Sequence, residues 1–416
     1  MSSIKKDVLL IWCGVIYLLI TTTRILSFWK IVDLDSTRSD SINPIITIIG
    51  NLLALYFLIY MFRFKSKILN VIKQQWPIIL LLLFTLLSCF WSDFPYISLR
   101  RWFKMSFFYT FILALQLSGS FYENTKSVIF IYGKIAIIIS FILIILFPSY
   151  GWMIYEDKLL PMGIFEHKGL LGQFSSLMLL LFMFFSDLKK ISKDTLFTFL
   201  LFILLLMTET KGALICLMIS IFTFIYVKID PGFKQNKITF FLSLIFLMIT
   251  IYISFFTILQ QEPFTILIEQ VFVLIGKNSS LTGRVPLWSI LFEYGMNNPI
   301  LGVGYRVFFI GFNATWFLKI FEWDCTNAHN GFLQAFLEVG IIGTVIFIFC
   351  LVWLLIKAIK NMQITKFKTN SIILFAMLIE YILLNFSSDC FLSERFCVFV
   401  FLLIPNLFEK EKSFEK

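Results

Sequence analysis

Four apolar runs in this sequence open on cations, where a helix entering a membrane would least favour them. Arg100, Arg101 and Lys104 precede the run near Phe111. His167-Lys168-Gly169 opens the next. Lys211-Gly212 opens a third, behind Thr208 and Thr210 as candidate caps, and His329-Asn330 a fourth, with Asn327 as candidate N-cap. A helix N-terminus is the positive end of the helix dipole and opposes a cation there by roughly 0.3–1 kcal/mol. Acidic residues are the usual choice at that position. An anion would resolve the conflict, because N-terminal amides and Arg or Lys side chains together make a phosphate site. Cations preset around a departing diphosphate would also supply the main electrostatic part of a transfer reaction. The other reading is that these side chains extend to lipid phosphates at an interface. Lys211, in a minimal turn between two short runs, fits that alternative least.

The two histidines both fall in this set. His167 reads equally well as a structural hydrogen-bonding residue. His329, placed in the first turn of its helix, is disfavoured as an imidazolium and so stays able to accept a proton at neutral pH. Asn330, Gln334 and Glu338 follow at i, i+4 and i+8, a single polar ridge on an otherwise apolar helix. Polar side chains within a membrane face a cavity or the bundle interior. Alternatively the ridge is a packing surface closed by Gly340 and Gly343. Trp288, Tyr305, Trp316 and Trp323 could stack on sugar rings or form an interfacial belt. Two histidines without a carboxylate pair argue against a transition-metal site. Gly302-Val303-Gly304 lacks the rest of any dinucleotide or P-loop motif, so no nucleotide or other cofactor is expected.

The elements that must hold these groups are membrane helices. Charged residues make up 14% of the chain against 59% hydrophobic, with a mean hydropathy of +0.90. Soluble domains carry roughly 25% charged residues. The expected fold is an all-α polytopic membrane helical bundle of about twelve spans at roughly 20 residues each. Their centres fall near Ile16, Leu53, Leu83, Phe111, Ile138, Leu179, Phe202, Met218, Leu247, Ile346, Leu374 and Val400. The run 195–228 is too long for one span and is split at Thr208-Glu209-Thr210-Lys211-Gly212. Lys5 and Lys6 precede a first span rather than a cleaved leader.

The net charge is +10, but its placement argues against nucleic acid as a partner. Arg63, Lys65, Lys67 and Lys73, then Lys189, Lys190 and Lys193, then Lys228, Lys234 and Lys237, and Lys357, Lys360, Lys366 and Lys368 cluster between runs. That is the positive-inside pattern. Both termini are then cytoplasmic, and the segments 24–42, 90–105, 149–168 and 258–330 lie outside. The last is one large extracytoplasmic loop carrying short helices, with an amphipathic stretch Ile266–Val273 and a turn at Lys277-Asn278-Ser279-Ser280. Loops this long are usually functional. The chain is expected to form one integral membrane domain, 1–416. Of its seven cysteines, Cys325 and Cys390 are the only pair expected outside.

Several of these segments resemble a known family. Leu281-Thr282-Gly283-Arg284 with Trp288, then Asn298-Pro299-Ile300-Leu301-Gly302-Val303-Gly304-Tyr305, is similar to the large periplasmic loop of the O-antigen ligase/polymerase superfamily. So is Ala328-His329-Asn330-Gly331-Phe332-Leu333-Gln334 running into Glu338-Val339-Gly340-Ile341-Ile342-Gly343. Phe90-Trp91-Ser92-Asp93-Phe94-Pro95 with Ser98-Leu99-Arg100-Arg101, and Gly163-Ile164-Phe165-Glu166-His167-Lys168, resemble its exopolysaccharide polymerase branch.

The resemblance implies a bacterial inner-membrane enzyme. It would take a glycan from a polyprenyl diphosphate carrier and join it to an acceptor hydroxyl on the periplasmic face, without metal or nucleotide. The partners implied are the lipid-linked oligosaccharide, membrane lipid and a chain-length regulator. Arg284 and His329 match the family's loop arginine and histidine. A second family arginine, in a Ser-Arg-Gly-like motif, corresponds to Lys211 in Thr210-Lys211-Gly212. Lysine keeps the charge and loses the bidentate fork. Arg284 and Lys211, with Arg306 or Arg101, would neutralise the leaving diphosphate, and His329 would take the proton of the attacking hydroxyl. Arg100, His167, Lys168, Asn330, Gln334 and Glu338 complete the expected substrate contacts. A ligase acting on lipid A core or a protein would use the same donor. A flippase for the lipid-linked sugar is the reading from a different class; it would depend on charge deep in a span, for which Lys134 is the candidate.

Overall fold

The computed structural model describes residues 7–24, 44–155, 158–186, 193–229, 284–311, 313, 316, 326–365 and 369–413. Helices stand at every expected centre except Leu247, which lies outside the described residues. They are Val8–Thr22, Pro44–Phe62, Trp76–Leu87, Pro95–Leu117, Phe121–Leu146, Lys168–Phe185, Lys193–Met207, Lys211–Ile229, Gly331–Ile364, Thr369–Ser387 and Phe396–Ser413. The split at Thr208–Thr210 is present as two helices.

Fewer of them are full-length spans than the expected count of about twelve. Among the described residues six are long and apolar enough to cross a membrane, or seven if the bent pair Lys65–Gln74 and Trp76–Trp91 acts as one. Val8–Thr22, Asp194–Met207 and Phe396–Phe408 are apolar but shorter. The Pro95–Leu117 helix is set apart by Arg100, Arg101 and Lys104 in its first half. Lys65–Gln74 buries no residue and meets the following helix at 91°. Its lysines and apolar residues suit a helix lying in an interface.

Thr369–Ser387 is the central helix and packs against the Lys168, Lys211, Gly331 and Phe396 helices. Tyr381 on it stacks on Phe401 with ring centroids 4.6 Å apart, and Phe130 stacks on Phe182 at 4.7 Å. The same central helix carries a buried carboxylate at mid-length, Glu380, which hydropathy alone passes over. The other mid-span charge, Lys134, is paired with Asp194 Oδ1 at 2.7 Å. The Pro44 and Lys211 helices turn Leu52, Leu55, Ile59, Met218 and Phe222 outward, as lipid-facing helices do.

Two departures from a plain bundle matter for the site. Trp152–Tyr155 and Lys158–Pro161 pair as a two-stranded antiparallel sheet. The Gly331–Ile364 helix breaks at Gly340, whose φ is 64°. The Asn298–Tyr305 segment docks into that break. Gly304 N–H donates to the Glu338 carbonyl at 2.8 Å, Val303 N–H to Leu337 at 3.2 Å, and Ile341 N–H to Pro299 at 2.8 Å. A side chain at Gly340 would collide with the Ile300 carbonyl. Gly340 therefore serves backbone docking rather than helix-to-helix packing. Cys390 is a buried free thiol, so it is not paired with Cys325, which lies outside the described residues.

Candidate active site

A cavity of about 530 Å³ opens at one end of the bundle. All four segments expected outside contribute to it: Arg24; Arg101 and Lys104; Phe165 and Glu166; and Tyr305, Arg306 and Asn327. A fifth contribution comes from the short link between the last two helices, through Ser393, Glu394 and Arg395. Five cations thus face three carboxylates, those of Glu166, Glu338 and Glu394.

Arg306 is the most constrained of the cations. Its φ of 58° is left-handed, an uncommon conformation for a residue with a side chain. Tyr305 holds it there. Tyr305 N–H donates to Ser88 Oγ at 3.0 Å, Ser98 Oγ–H donates to the Tyr305 carbonyl at 2.8 Å, and the phenol donates to the Leu392 carbonyl. The Arg306 guanidinium then meets Asp389, with Nη1 2.6 Å from Oδ2. Burial opposes the charge, but Asp389 and Glu338 hold it and push the pKa above the usual guanidinium range. Arg395 Nη2 lies 3.8 Å from the same Asp389 oxygen, and its Nη1 donates to Ser388 Oγ at 3.3 Å and to the Asp389 carbonyl. Arg101 Nη1 donates to the Arg306 carbonyl. One buried carboxylate and one carbonyl therefore set three guanidinium groups around the same space.

The polar ridge faces inward as its spacing implies. Asn330, Gln334 and Glu338 are all buried. Asn330 is the helix N-cap, its Oδ1 accepting from Phe332 and Leu333 N–H at 3.0 Å each. The expected cap, Asn327, instead accepts from His329 N–H at 3.0 Å. His329 therefore precedes the cap at φ 50° and is not in the first helical turn. The dipole argument for its neutrality weakens accordingly, since the effect fades beyond the end of the helix. Gln334 Oε1 accepts from Ala328 N–H at 2.8 Å, which turns its amide NH₂ toward Glu338 Oε1, its second partner.

Arg284 opens a helix, Arg284–Gly295; its side chain, and residues 281–283, lie outside the description. That helix is tied to the His329 turn by Trp288, whose indole N–H donates to the Ala328 carbonyl at 2.8 Å. A small core of Leu287, Trp288, Leu291, Phe308, Phe309, Ala328, Leu333 and Leu337 joins helix, loop and turn. Trp288 thus serves packing here.

Of the expected site residues, the cavity brings together Arg101, Arg306, Gln334 and Glu338. Asn330 sits behind it as a cap. Arg100 acts on it through its charge near Glu394. His329 is flanked by the lining residue Asn327 and the cap Asn330. His167, Lys168 and Lys211 form a neighbouring group rather than the lining itself. His167 Nδ1 caps its helix by accepting from Gly169 N–H at 3.0 Å. Lys168 Nζ lies 4.3 Å from the centre of the Tyr155 ring. Thr210, just before Lys211, donates its hydroxyl to the Lys168 carbonyl at 3.4 Å, and Lys158 pairs with Glu209 at 3.1 Å. The helix between these groups supplies Leu170, Gln173 and Phe174 to the cavity wall. Arg24, Asp389, Glu394 and Arg395 are site residues that sequence patterns did not single out. The signal for three of them was a run of polar residues, Ser387-Ser388-Asp389 and Ser393-Glu394-Arg395, between two apolar helices.

Comparison with known proteins finds similarity over part of the chain. A family model described as O-antigen ligase matches residues 196–348. Over 107 residues the chain is 31% identical to the exopolysaccharide production protein ExoQ of Rhizobium meliloti (strain 1021), covering 24% of this chain and 25% of that relative. The matched stretch is thus about a quarter of that relative's length. The family match spans the Lys211 helix, the Arg284 helix, the docked Asn298–Tyr305 segment and the His329 turn. Residues 196–348 of this multi-pass membrane protein are thus similar to the O-antigen ligase family.

Proposed function

We propose that the chain is a polymerase that joins polyprenyl diphosphate-linked oligosaccharide units into an O-antigen or exopolysaccharide chain. The observation that carries this reading is the cavity, where Arg24, Arg101, Lys104, Arg306 and Arg395 converge from segments distant in sequence. A diphosphate is an anion that such a set would hold, and Arg matches phosphate geometry bidentately. The family match and the similarity to an exopolysaccharide production protein support the substrate class.

In the proposed reaction the acceptor hydroxyl oxygen attacks the anomeric carbon. The bond from that carbon to the diphosphate oxygen breaks, and its electron pair leaves with the diphosphate. Preset cations stabilise that developing charge without reorganising. His329 receives the hydroxyl proton, and the configuration inverts because attack and departure occupy opposite faces. Arg284 and Lys211, carried over from the family, would approach the same diphosphate from the loop and the neighbouring helix start. No metal or cofactor takes part in this proposal. The site faces the periplasm of a bacterial inner membrane, with both termini cytoplasmic, and a chain-length regulator is a partner in the assembled system.

A ligase transferring the finished glycan to lipid A core or to a protein would use the same donor site. The similarity to an exopolysaccharide production protein favours the polymerase. Transport is the weaker reading, because Lys134 already has its counter-ion in Asp194. The test supplies the purified protein in liposomes with lipid-linked oligosaccharide, with and without lipid A core. Longer lipid-linked chains formed without the core support the polymerase. Product formed only with the core shows a ligase. Sugar moved across the bilayer with no new bond would sink both.

A further inference from the structure

Glu394 is out of place in a wall built to hold an anion. It lines the cavity, is half-buried, and precedes Arg395 in the link between the last two helices. Lys104, Arg306, Arg101 and Arg100 all act on its carboxylate electrostatically. Of the other acids here, Asp389 Oδ2 is held by Arg306 and Glu338 Oε1 by Gln334, while Glu166 acts on Arg24 across the cavity. Among the described residues, by contrast, no hydrogen bond or ion pair within 4.0 Å engages the Glu394 carboxylate. Toward a bound diphosphate the ionised group is repulsive. Its presence inside the cation ring therefore calls for a different ligand group, one that donates a hydrogen.

Carboxylates make short, charge-assisted hydrogen bonds to hydroxyls. Sugars offer such donors, and the reaction proposed above needs one held beside the leaving group. We infer that Glu394 accepts a hydrogen bond from a hydroxyl of the acceptor glycan and so positions that sugar against the diphosphate held by Arg306 and Arg101. The inference rests on the polymerase reading and adds to it the residue that separates glycan recognition from diphosphate recognition. Glu394 contacts the acceptor here, whereas Asp389 acts through the arginines.

The experiment compares wild type, Glu394→Gln and Glu394→Asp in detergent, measuring binding of a polyprenyl diphosphate that carries no sugar alongside chain elongation from the lipid-linked oligosaccharide. In Glu394→Gln, elongation is expected to fall about 10- to 100-fold, the usual range for a hydrogen bond to a charged group. Binding of the sugar-free diphosphate should be unchanged or tighter, because a repulsive charge is gone. Glu394→Asp should recover part of the elongation and, if the Gln variant does not fold, carries the same comparison. Elongation at the wild-type rate in Glu394→Gln, or equal losses of elongation and diphosphate binding in both variants, would overturn the inference. Absence of diphosphate binding by the wild type would instead overturn the functional reading, and this inference with it.

Discussion

Arg306 and Asp389, 83 residues apart in the chain, meet at 2.6 Å with the carboxylate fully buried. Removing one partner of a fully buried pair costs about 3–5 kcal/mol; here Arg395 also reaches Asp389 and Arg306 is partly exposed, which places the loss below that range. Arg306→Ala and Asp389→Asn should each lower the melting temperature markedly. The double variant Arg306→Gln/Asp389→Asn leaves a neutral hydrogen-bonding pair and should regain most of that stability. Thermal unfolding of the three in detergent checks this. A double variant no more stable than the worse single one would show that the pair is not an independent unit.

Gly340 offers a purely backbone prediction. Its φ of 64° and the Ile300 carbonyl beside it exclude a side chain. Gly340→Ala should lose at least about 1–3 kcal/mol from the left-handed backbone alone, with further loss from the collision. Gly119 has open space around it, so Gly119→Ala should stay within about 0.5 kcal/mol of wild type. Equal melting temperatures for the two variants would contradict the docked-loop description.

His329→Ala separates chemistry from binding. It should abolish chain elongation while the lipid diphosphate still binds, since the cavity cations are untouched. Near-normal turnover in this variant would remove the proton-acceptor role from His329.

A pH dependence follows from Glu394. Burial raises its pKa above the ordinary carboxylate value, and Lys104, Arg306, Arg101 and Arg100 only partly counter that. The ionised form is the one that accepts a hydroxyl hydrogen. Elongation should therefore fall as pH drops through this raised pKa, earlier than an exposed carboxylate would dictate. Glu394→Gln should lose that acid limb of the rate profile. An identical limb in the variant assigns it to another group.

Much of this was legible in the sequence because it was periodic. The apolar runs gave the helices, and Asn330, Gln334 and Glu338 at helical spacing gave the buried ridge. Span length was less legible, since Val8–Thr22 and Phe396–Phe408 read as spans by hydropathy but form shorter apolar helices. Cations at helix starts marked one end of the bundle, yet they did not say which wall each would join. Lys168 and Lys211 have the same pattern as Arg101 and lie beside the cavity instead of lining it. The cap of the Gly331 helix was ambiguous because Asn327 and Asn330 both suit the role; the left-handed turn at His329 decides for Asn330. Asp389, Glu394 and Arg395 sit in a short link with no period at all, so only the packing of that link under Arg306 reveals them. The rule that intramembrane charge marks function pointed to Lys134, which proves to be paired, and not to Glu380.

The most direct test of the central claim gives purified protein in liposomes a polyprenyl diphosphate-linked oligosaccharide as sole substrate and resolves the products on a gel. Wild type should yield a ladder of longer lipid-linked chains, and the folded Arg306→Gln/Asp389→Asn variant none. A ladder of equal length and intensity from that variant would contradict the claim that the Arg306-centred cations hold the departing diphosphate.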